Sequence, residues 1–280
     1  MKRYLLTLAL MVLCASALVV AVAYYRPGAG GNRSRRRKGP PPPALAIDSI
    51  VERVGPSVVA INTIERKMVR ARMRDPLFNF FFGGGDFVAE REGIGSGVIF
   101  DPGGYALTNA HVVSSAQEIA VVLPDGRQAG AAVCAVDREG DLALIRIEAR
   151  GLPVAELGES EGLRVGQIVL AFGNPFGTAS KSAQPSVTFG VISGLRRDIR
   201  VERGRYYRDL IQTDAAINIG NNGGPLVDLT GRVIGLNTLI VTSSGASTGV
   251  GFAIPVDFIM ERLDDLRAEC ARGARSGRRR

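Results

Sequence analysis

Short apolar runs separated by turn residues dominate the chain after residue 46. The runs alternate apolar with polar residues or are apolar throughout, and Gly, Pro, Asn and Asp lie between them. There are eleven: SVVAINTI, GVIF, YALTN, EIAVVL, AAVCAV, LALIRI, QIVLAF, SVTFGVISGL, LIQTD, RVIGLNTLIV and VGFAIP. Because no helical segments alternate with these runs, the pattern predicts an antiparallel all-β fold, either a sandwich or a barrel.

Two helices are predicted at the ends of this β-rich region. AIDSIVERV has the spacing of a short amphipathic helix, and PVDFIMERLDDL, with Pro255 at its start, has the pattern of a helix near the C-terminus. Between them, the residues HVV after the run YALTN are predicted to form one helical turn. That turn would place His111 at the rim of a barrel.

The N-terminal residues 4–25 contain no charged side chain and are long enough to span a bilayer. Residues 1–25 are therefore either a membrane anchor or an export signal. The small residues ASA and AVA offer cleavage sites, but the apolar run continues past the first site and ends at Tyr24 and Tyr25. This favours an uncleaved single-pass anchor in the cytoplasmic membrane. The basic flank that follows argues for a cytoplasmic domain, but long domains can translocate regardless of charge, so a periplasmic domain stays the expectation.

The formal net charge of +8 comes from the ends of the chain and not from its body. Residues 26–45 are a basic, proline-rich linker, and residues 268–280 are a basic tail, whereas the residues between them carry more acids than bases. Such tails are typical of solvated arms. Nucleic acid is therefore not an expected partner, despite the basic composition.

The three cysteines do not form a disulfide framework by their spacing. Cys14 lies in the apolar N-terminal segment, Cys134 in an apolar run and Cys270 beside the basic tail. They are predicted to be unpaired thiols or core residues. No metal-binding spacing links them to the single histidine, so neither a metal nor a cofactor is expected.

Three features separated in the sequence together indicate nucleophilic acyl transfer. The only histidine is His111, Asp141 stands immediately before the run LALIRI, and GNNGGP forms a glycine loop from Gly220 to Pro225. The reaction needs a base, a carboxylate that orients the base, and backbone donors for an oxyanion. The order histidine, aspartate and glycine loop is the one that chymotrypsin-type sites use.

Five longer segments then carry a family resemblance. GSGVIFDPGGYALTNAHVV, DREGDLALIRI, LRVGQIVLAFGNPFG, QTDAAINIGNNGGPLVDLTGRVIGLNT and GVGFAIPVDFI resemble successive blocks of the HtrA, or Deg, family of trypsin-like serine proteases. The resemblance extends from Ala46 to Leu266. DPLFNFFFGGGDF, at residues 75–87, is similar to the aromatic regulatory loop of that family.

The resemblance implies two antiparallel β-barrels of the trypsin type, at residues 46–150 and 151–267, with a cleft between them. It makes His111 the general base, Asp141 its orienting carboxylate, and the N–H groups of Gly220 and residue 222 the oxyanion hole. Further residues are implied to bind an added substrate strand or to line its side-chain pocket: Ile217, Asn218, Ile219, Asn237, Thr238 and Leu239.

The resemblance also implies a biological setting. Family members commonly act outside the cytoplasmic membrane, recognise extended or misfolded polypeptide, and assemble as trimers. Many carry a PDZ domain after the protease domain, but too few residues follow Leu266 for such a module, so none is expected. Phe189 stands where the family usually has a small residue. The adjoining activation loops are therefore not expected to keep the geometry that is usual in the family.

The main departure from the family is Asn222, at the position of the nucleophilic serine. An amide nitrogen is delocalised into its carbonyl, and an amide oxygen carries no proton to give to histidine. The leading hypothesis is a membrane-anchored pseudoprotease of protein quality control that binds polypeptide. Two alternatives stay open: an active serine endopeptidase, if Asn222 is a sequence error or if His111 activates water, and a non-catalytic subunit of a homotrimer or mixed oligomer.

Overall fold

Strands account for most of the part of the chain that the structure, a computed structural model, describes. That part comprises residues 47–70, 86–175, 183–200, 206–218, 220–240 and 249–277. Twelve strands are found there, and each of the eleven predicted runs overlaps one of them. The additional strand, Pro225–Asp228, has only four residues and follows the glycine loop directly, so it does not stand out as a separate run.

The first six strands close into an antiparallel barrel. They are β1 (Val58–Arg70), β2 (Asp86–Asp101), β3 (Tyr105–Asn109), β4 (Glu118–Val122), β5 (Gln128–Asp137) and β6 (Leu142–Ile147). Their order is β1-β2-β3-β6-β5-β4, and β1 pairs with β4 to close the barrel. Because successive side chains of a strand point to opposite faces, alternate residues fill the interior. Examples are Val59, Ile61, Val121 and Ile145.

The last six strands form a second closed barrel. They are β7 (Ile168–Gly173), β8 (Ser186–Arg200), β9 (Tyr206–Thr213), β10 (Pro225–Asp228), β11 (Val233–Ile240) and β12 (Gly251–Pro255). Starting at β7, the order is β7-β8-β9-β12-β11-β10. This is the winding of the first barrel repeated, although no repeat of fixed period is evident in the sequence. The predicted two-barrel architecture is therefore present.

A third apolar core lies outside the two barrel interiors. It includes side chains from both barrels, such as Leu144 and Phe172, and the buried faces of two helices. Helix α1 (Ile47–Val54) buries Ile50 and Val54, four residues apart, as expected for its amphipathic pattern. A short helix, α2 (Ala110–Val113), follows β3.

The C-terminal helix is longer than the sequence pattern predicts. Helix α3 (Val256–Gly277) begins after Pro255 and continues well past Leu266. Its buried residues Ile259, Leu263 and Leu266 are spaced by four and three positions, which places them on one face. The helix therefore covers the third core with one stripe.

This longer helix corrects the prediction of unpaired cysteines. Cys270, on the last turns of α3, forms a disulfide with Cys134 of β5, with a Cα–Cα distance of 4.4 Å. The two residues are 136 positions apart in sequence. Their pairing depends on α3 packing against the first barrel, which spacing along the chain does not reveal.

Several predictions lie outside the described residues. They are the anchor or signal at residues 1–25, the linker at residues 26–45, most of the aromatic loop at residues 75–87, Ile219 and the end of the basic tail. Among the residues that are described, no helix combines the length and apolarity needed to cross a membrane. The described residues all belong to one compact unit.

Candidate active site

The cleft between the barrels begins at α2, which directly follows β3. Asn109 ends β3 and is fully buried, and its side-chain amide donates to the backbone carbonyl of Asp141 at 3.2 Å. The next residue, Ala110, donates its backbone N–H to the same carbonyl at 3.1 Å. These two bonds hold the first turn of α2 against residue 141. His111 therefore lies at the barrel rim, as predicted, with 30% of its side chain exposed.

Asp141 and His111 form a close hydrogen-bonded pair. The Nδ1 atom of His111 lies 2.8 Å from Oδ2 of Asp141, and the backbone N–H of His111 donates to Oδ1 at 3.0 Å. Asp141 is fully buried and has a φ of 55°, in the left-handed region that aspartate tolerates better than most residues. The two residues that the sequence places 30 positions apart are thus brought together in the arrangement of a base and its orienting carboxylate.

Two hydroxyl groups from the second barrel also bind this carboxylate. Thr238 Oγ1 donates to Asp141 Oδ2 at 2.9 Å, and Tyr207 Oη donates to the same oxygen at 3.0 Å. Burial alone would raise the pKa of Asp141, but the bonds from His111, with that from Thr238, hold the pKa below its usual value. Asp141 is therefore ionised at neutral pH and accepts at both oxygens.

An ionised Asp141 determines which nitrogen of His111 carries the proton. A carboxylate has no hydrogen to donate, so Nδ1 must be the donor in this pair. In the neutral imidazole, Nε2 is then an acceptor that faces away from Asp141. This is the tautomer that a histidine needs in order to act as a general base.

Asn222 occupies the other side of the imidazole ring. Its Nδ2 lies 3.2 Å from Nε2 of His111, so the carboxamide donates to the nitrogen that would take up a proton during acyl transfer. The carboxamide cannot itself become a nucleophile, because it has no acidic hydrogen of the hydroxyl type. The side chain at position 222 therefore contacts His111 through an amide nitrogen and offers no hydroxyl oxygen.

The backbone of the glycine loop is held firmly by both barrels. Ser96 of the first barrel donates its N–H to the carbonyl of Asn222 at 2.8 Å. On the second barrel, Gly223 donates to the carbonyl of Asn237 at 2.8 Å, and Asn237 donates to the carbonyl of Gly224 at 2.9 Å. These bonds do not involve the side chain at position 222.

Two glycines of the loop are required by its geometry. Gly220 has a φ of 97°, in the left-handed region that favours glycine, and the next residue, Asn221, donates its N–H to the carbonyl of Asn218 at 2.9 Å. Gly223 has a φ of 83°, and a Cβ atom there would collide with the carbonyl of Ser96 and the hydroxyl of Thr108. The glycine spacing of the motif is thus a steric requirement.

The turn leaves two backbone donors without an acceptor. In the part of the chain that the structure describes, the N–H groups of Gly220 and Asn222 donate to no oxygen. These are the two groups that the family resemblance implies for an oxyanion hole. No cluster of three potential metal ligands occurs among the described residues.

The remaining residues, which were predicted to bind substrate, differ in their burial. Ile217 is fully buried in the second barrel and contacts Gly251, whereas Asn218 is exposed. Asn237 is fully buried, and its amide donates to the carbonyls of Phe172 and Pro225. Leu239 lies in β11 opposite Phe252.

The end of β11 has an open edge on the side of the glycine loop. β10 pairs with β11 only as far as Leu236, whereas β12 continues to pair up to Ile240. Within the described residues, Thr238 to Ile240 therefore have a strand on one side only. An extended peptide could add there by backbone hydrogen bonds.

Tyr207 is a member of this site that the sequence does not reveal. It lies in β9, 66 positions from Asp141, and its neighbours Tyr206 and Arg208 belong to no motif that would mark it as a site residue. Phe189, the departure noted from the sequence, lies in β8 opposite Leu170 and is 52% exposed.

Comparisons with known proteins agree with this architecture. A family model of the trypsin-like peptidase domain matches residues 95–236. Probable periplasmic serine endoproteases that are DegP-like, from Halomonas elongata and Pseudomonas putida, are 41% and 39% identical over 239 and 240 residues. These matches cover 78% and 79% of this chain but 49% of each relative, so the chain spans about half the length of the relatives.

A solved structure of a related protease is also similar to this chain. The HtrA-type protease AlgW, determined with a decapeptide, is 40% identical, with a TM-score of 0.63, and the match covers 79% of this chain and 67% of that one. Sequence, barrel topology and the hydrogen-bonded His111–Asp141 pair thus lead to one classification. The chain belongs to the trypsin-like peptidases, and within them to the HtrA family.

Proposed function

We propose that this chain is an HtrA-type pseudoprotease that binds extended polypeptide in its cleft and hydrolyses it very slowly or not at all. The observation that carries the proposal is the contact between Asn222 Nδ2 and His111 Nε2 at 3.2 Å, in a site whose other parts are in place. Asn222 stands at the position where the family has its nucleophilic serine.

The chemical consequence of that replacement is large. In serine proteases, loss of the nucleophile lowers turnover by about 10⁶, or roughly 8 kcal/mol of barrier. Binding and oxyanion donors alone retain about 10³ to 10⁴ over the uncatalysed rate. His111 as general base and Asp141 as its orienting carboxylate would therefore support at most a weak attack by water.

Binding, in contrast, depends on groups that the asparagine leaves intact. The N–H groups of Gly220 and Asn222 have no acceptor among the described residues and would bind a substrate carbonyl. The open edge of β11 from Thr238 to Leu239 would pair with the backbone of an extended segment. The HtrA-type protease AlgW was solved with a decapeptide, which supports polypeptide as the class of ligand.

The proposed location rests on the names of the relatives and on the N-terminal sequence, and the proposed assembly rests on the family resemblance alone. The relatives are named periplasmic, and the uncharged residues 4–25 would anchor the chain in the cytoplasmic membrane. We place the barrels on the periplasmic side, as a homotrimer or as a subunit of a mixed trimer with an active relative.

The proposal is tested with the purified full-length chain in detergent. Fluorescein-labelled unfolded casein should bind, as measured by anisotropy, while the casein stays intact and a fluorophosphonate probe does not label the protein. Leu239→Arg should weaken binding, whereas Val165→Arg, on an exposed turn before β7, should not. Labelling by the probe, or casein degradation that His111→Ala abolishes, would overturn the proposal.

A further inference from the structure

Two consecutive tyrosines at the start of β9 have opposite environments. Tyr206 is 44% exposed and donates its hydroxyl to Asp198 at 2.9 Å. Tyr207 is 6% exposed and donates its hydroxyl to Asp141 Oδ2 at 3.0 Å. Because side chains of a strand alternate between faces, one tyrosine faces solvent and the other reaches the His111–Asp141 pair.

The carboxylate of Asp141 needs support from outside its own barrel. Its backbone is in the left-handed region, and its Oδ2 must stay directed at Nδ1 of His111. The donors Tyr207 and Thr238, both from the second barrel, bind this same oxygen from other directions. Several donors converging on one buried oxygen restrict the rotation of the carboxylate.

We propose that Tyr207 is a positioning residue that holds the Asp141 carboxylate in the rotamer needed to keep His111 in its Nδ1–H tautomer. Tyr207 acts through Asp141 and does not touch the groups that would contact a substrate. The role goes beyond the proposed function, because it concerns the state of His111 whether or not a peptide is bound or cut.

A cavity beside Tyr207 makes the role accessible to experiment. It has a volume of about 510 Å³, and Tyr207 lines it together with Tyr206, Arg208 and Phe258. Truncation of Tyr207 would join the vacated space to this cavity. A small aromatic molecule could therefore enter and replace the deleted ring.

The single histidine of the chain provides the readout. The ring nitrogen resonances of His111 in full-length, ¹⁵N-labelled protein report its tautomer, and the exchange of the Nδ1 proton with water reports the strength of its bond to Asp141. In Tyr207→Phe we expect exchange to be roughly fivefold faster or more, with a larger Nε2–H population, because one hydrogen bond to the carboxylate is lost. Tyr206→Phe, the matched control beside the same cavity, should leave both signals unchanged.

Chemical rescue separates a hydroxyl effect from a packing effect. In Tyr207→Ala, added p-cresol should restore the His111 signals, since it reproduces the deleted side chain, whereas toluene should not. Unchanged signals in Tyr207→Phe, or equal rescue by toluene, would overturn the proposal. If Tyr207→Ala does not fold by circular dichroism, Tyr207→Phe decides alone. Casein binding measured on the same samples tests the proposed function separately.

Discussion

The two halves of the candidate site differ in what they retain from a working protease. The half from the first barrel contains His111 and Asp141, which are hydrogen-bonded at 2.8 Å around a fully buried carboxylate. The half from the second barrel contains the glycine loop, whose backbone is held by Ser96 and Asn237 but whose side chain at position 222 is an amide. The first half brings a histidine and a carboxylate together, whereas the second half presents an amide, and no hydroxyl, to that histidine.

This difference shows that the geometry of a cleft and its reactivity are determined by separate groups. Backbone hydrogen bonds and glycine conformations maintain the loop, and they are independent of the side chain at position 222. Reactivity depends on one hydroxyl oxygen at that position. The difference between the two halves can be tested by restoring the missing hydroxyl in the second half or by removing the carboxylate from the first.

The largest effect is expected from repair of the second half. Asn222→Ser should create cleavage of unfolded casein at a rate about 10³-fold or more above that of the natural chain, because it restores a hydroxyl next to Nε2 of His111. The measurement is casein degradation by the purified full-length protein, together with labelling by a fluorophosphonate probe.

The matched control for this repair combines Asn222→Ser with His111→Ala, which should be inactive. If the Asn222→Ser protein folds correctly but does not cleave casein, the absence of the serine hydroxyl cannot be the only cause of inactivity. In that case the second half would be impaired at further positions, and Phe189, which is exposed in β8, would be examined first.

The next largest effect is expected from damage to the first half. Asp141→Asn keeps the shape and tolerates the left-handed φ, but its amide hydrogens would face the donors of His111 and Tyr207. We expect a loss of about 3–5 kcal/mol in the free energy of unfolding at neutral pH, measured by urea denaturation.

The pH dependence of this loss follows from the lowered pKa of Asp141. The stabilisation by the carboxylate is complete above the pKa of an unfolded aspartate, about 3.9, and is lost as the pH falls through the lower pKa of the folded state. The difference between the natural protein and Asp141→Asn should therefore narrow below about pH 4. A difference that stays constant from pH 7 to pH 3 would contradict this account.

A smaller effect is expected from the covalent link that joins the first barrel to α3. Cys134→Ser should lower the free energy of unfolding by about 3 kcal/mol, because the bond between residues 134 and 270 closes a long loop in the unfolded chain. Thermal melts with and without dithiothreitol should differ for the natural protein and coincide for the variant. Cys14→Ser, which leaves the pair intact, should retain the response to dithiothreitol.

The smallest effect compares two glycines of the second half. Gly223 and Gly249 have nearly equal φ values of 83° and 82°. A Cβ atom at Gly223 would collide with Ser96 and Thr108, whereas at Gly249 it would lie within 4 Å of no atom of the described residues. Gly223→Ala should therefore destabilise the protein by about 1–3 kcal/mol more than Gly249→Ala. Equal melting temperatures for the two variants would show that the loop adjusts without strain.

Much of the fold follows from sequence because its determinants are local. Alternation of apolar residues and the turn residues between runs identify eleven of the twelve strands, and Pro255 marks the start of α3. The short β10 is hidden because its four residues adjoin the glycine loop. The length of α3 is underestimated because its second half is basic and carries little apolar periodicity.

The residues of the candidate site likewise fall into those that local sequence motifs reveal and those that depend on long-range contacts. His111, Asp141 and the glycine loop stand in recognisable motifs, so their meeting can be anticipated. Tyr207 and the pair Cys134–Cys270 depend on contacts across 66 and 136 positions, and nothing in their neighbouring residues indicates these partners. Contacts of this kind arise only when β9 and α3 pack against the first barrel.

The bond from Ser96 to the carbonyl of Asn222 has a further consequence for how such a protein can arise. Because the loop is fastened through its main chain, a mutation at position 222 meets little resistance from the scaffold. Serine and asparagine codons differ by one base in the AGC and AAC pair. A duplicated protease gene could therefore pass from enzyme to binding protein in one genetic step, and could return by the same step.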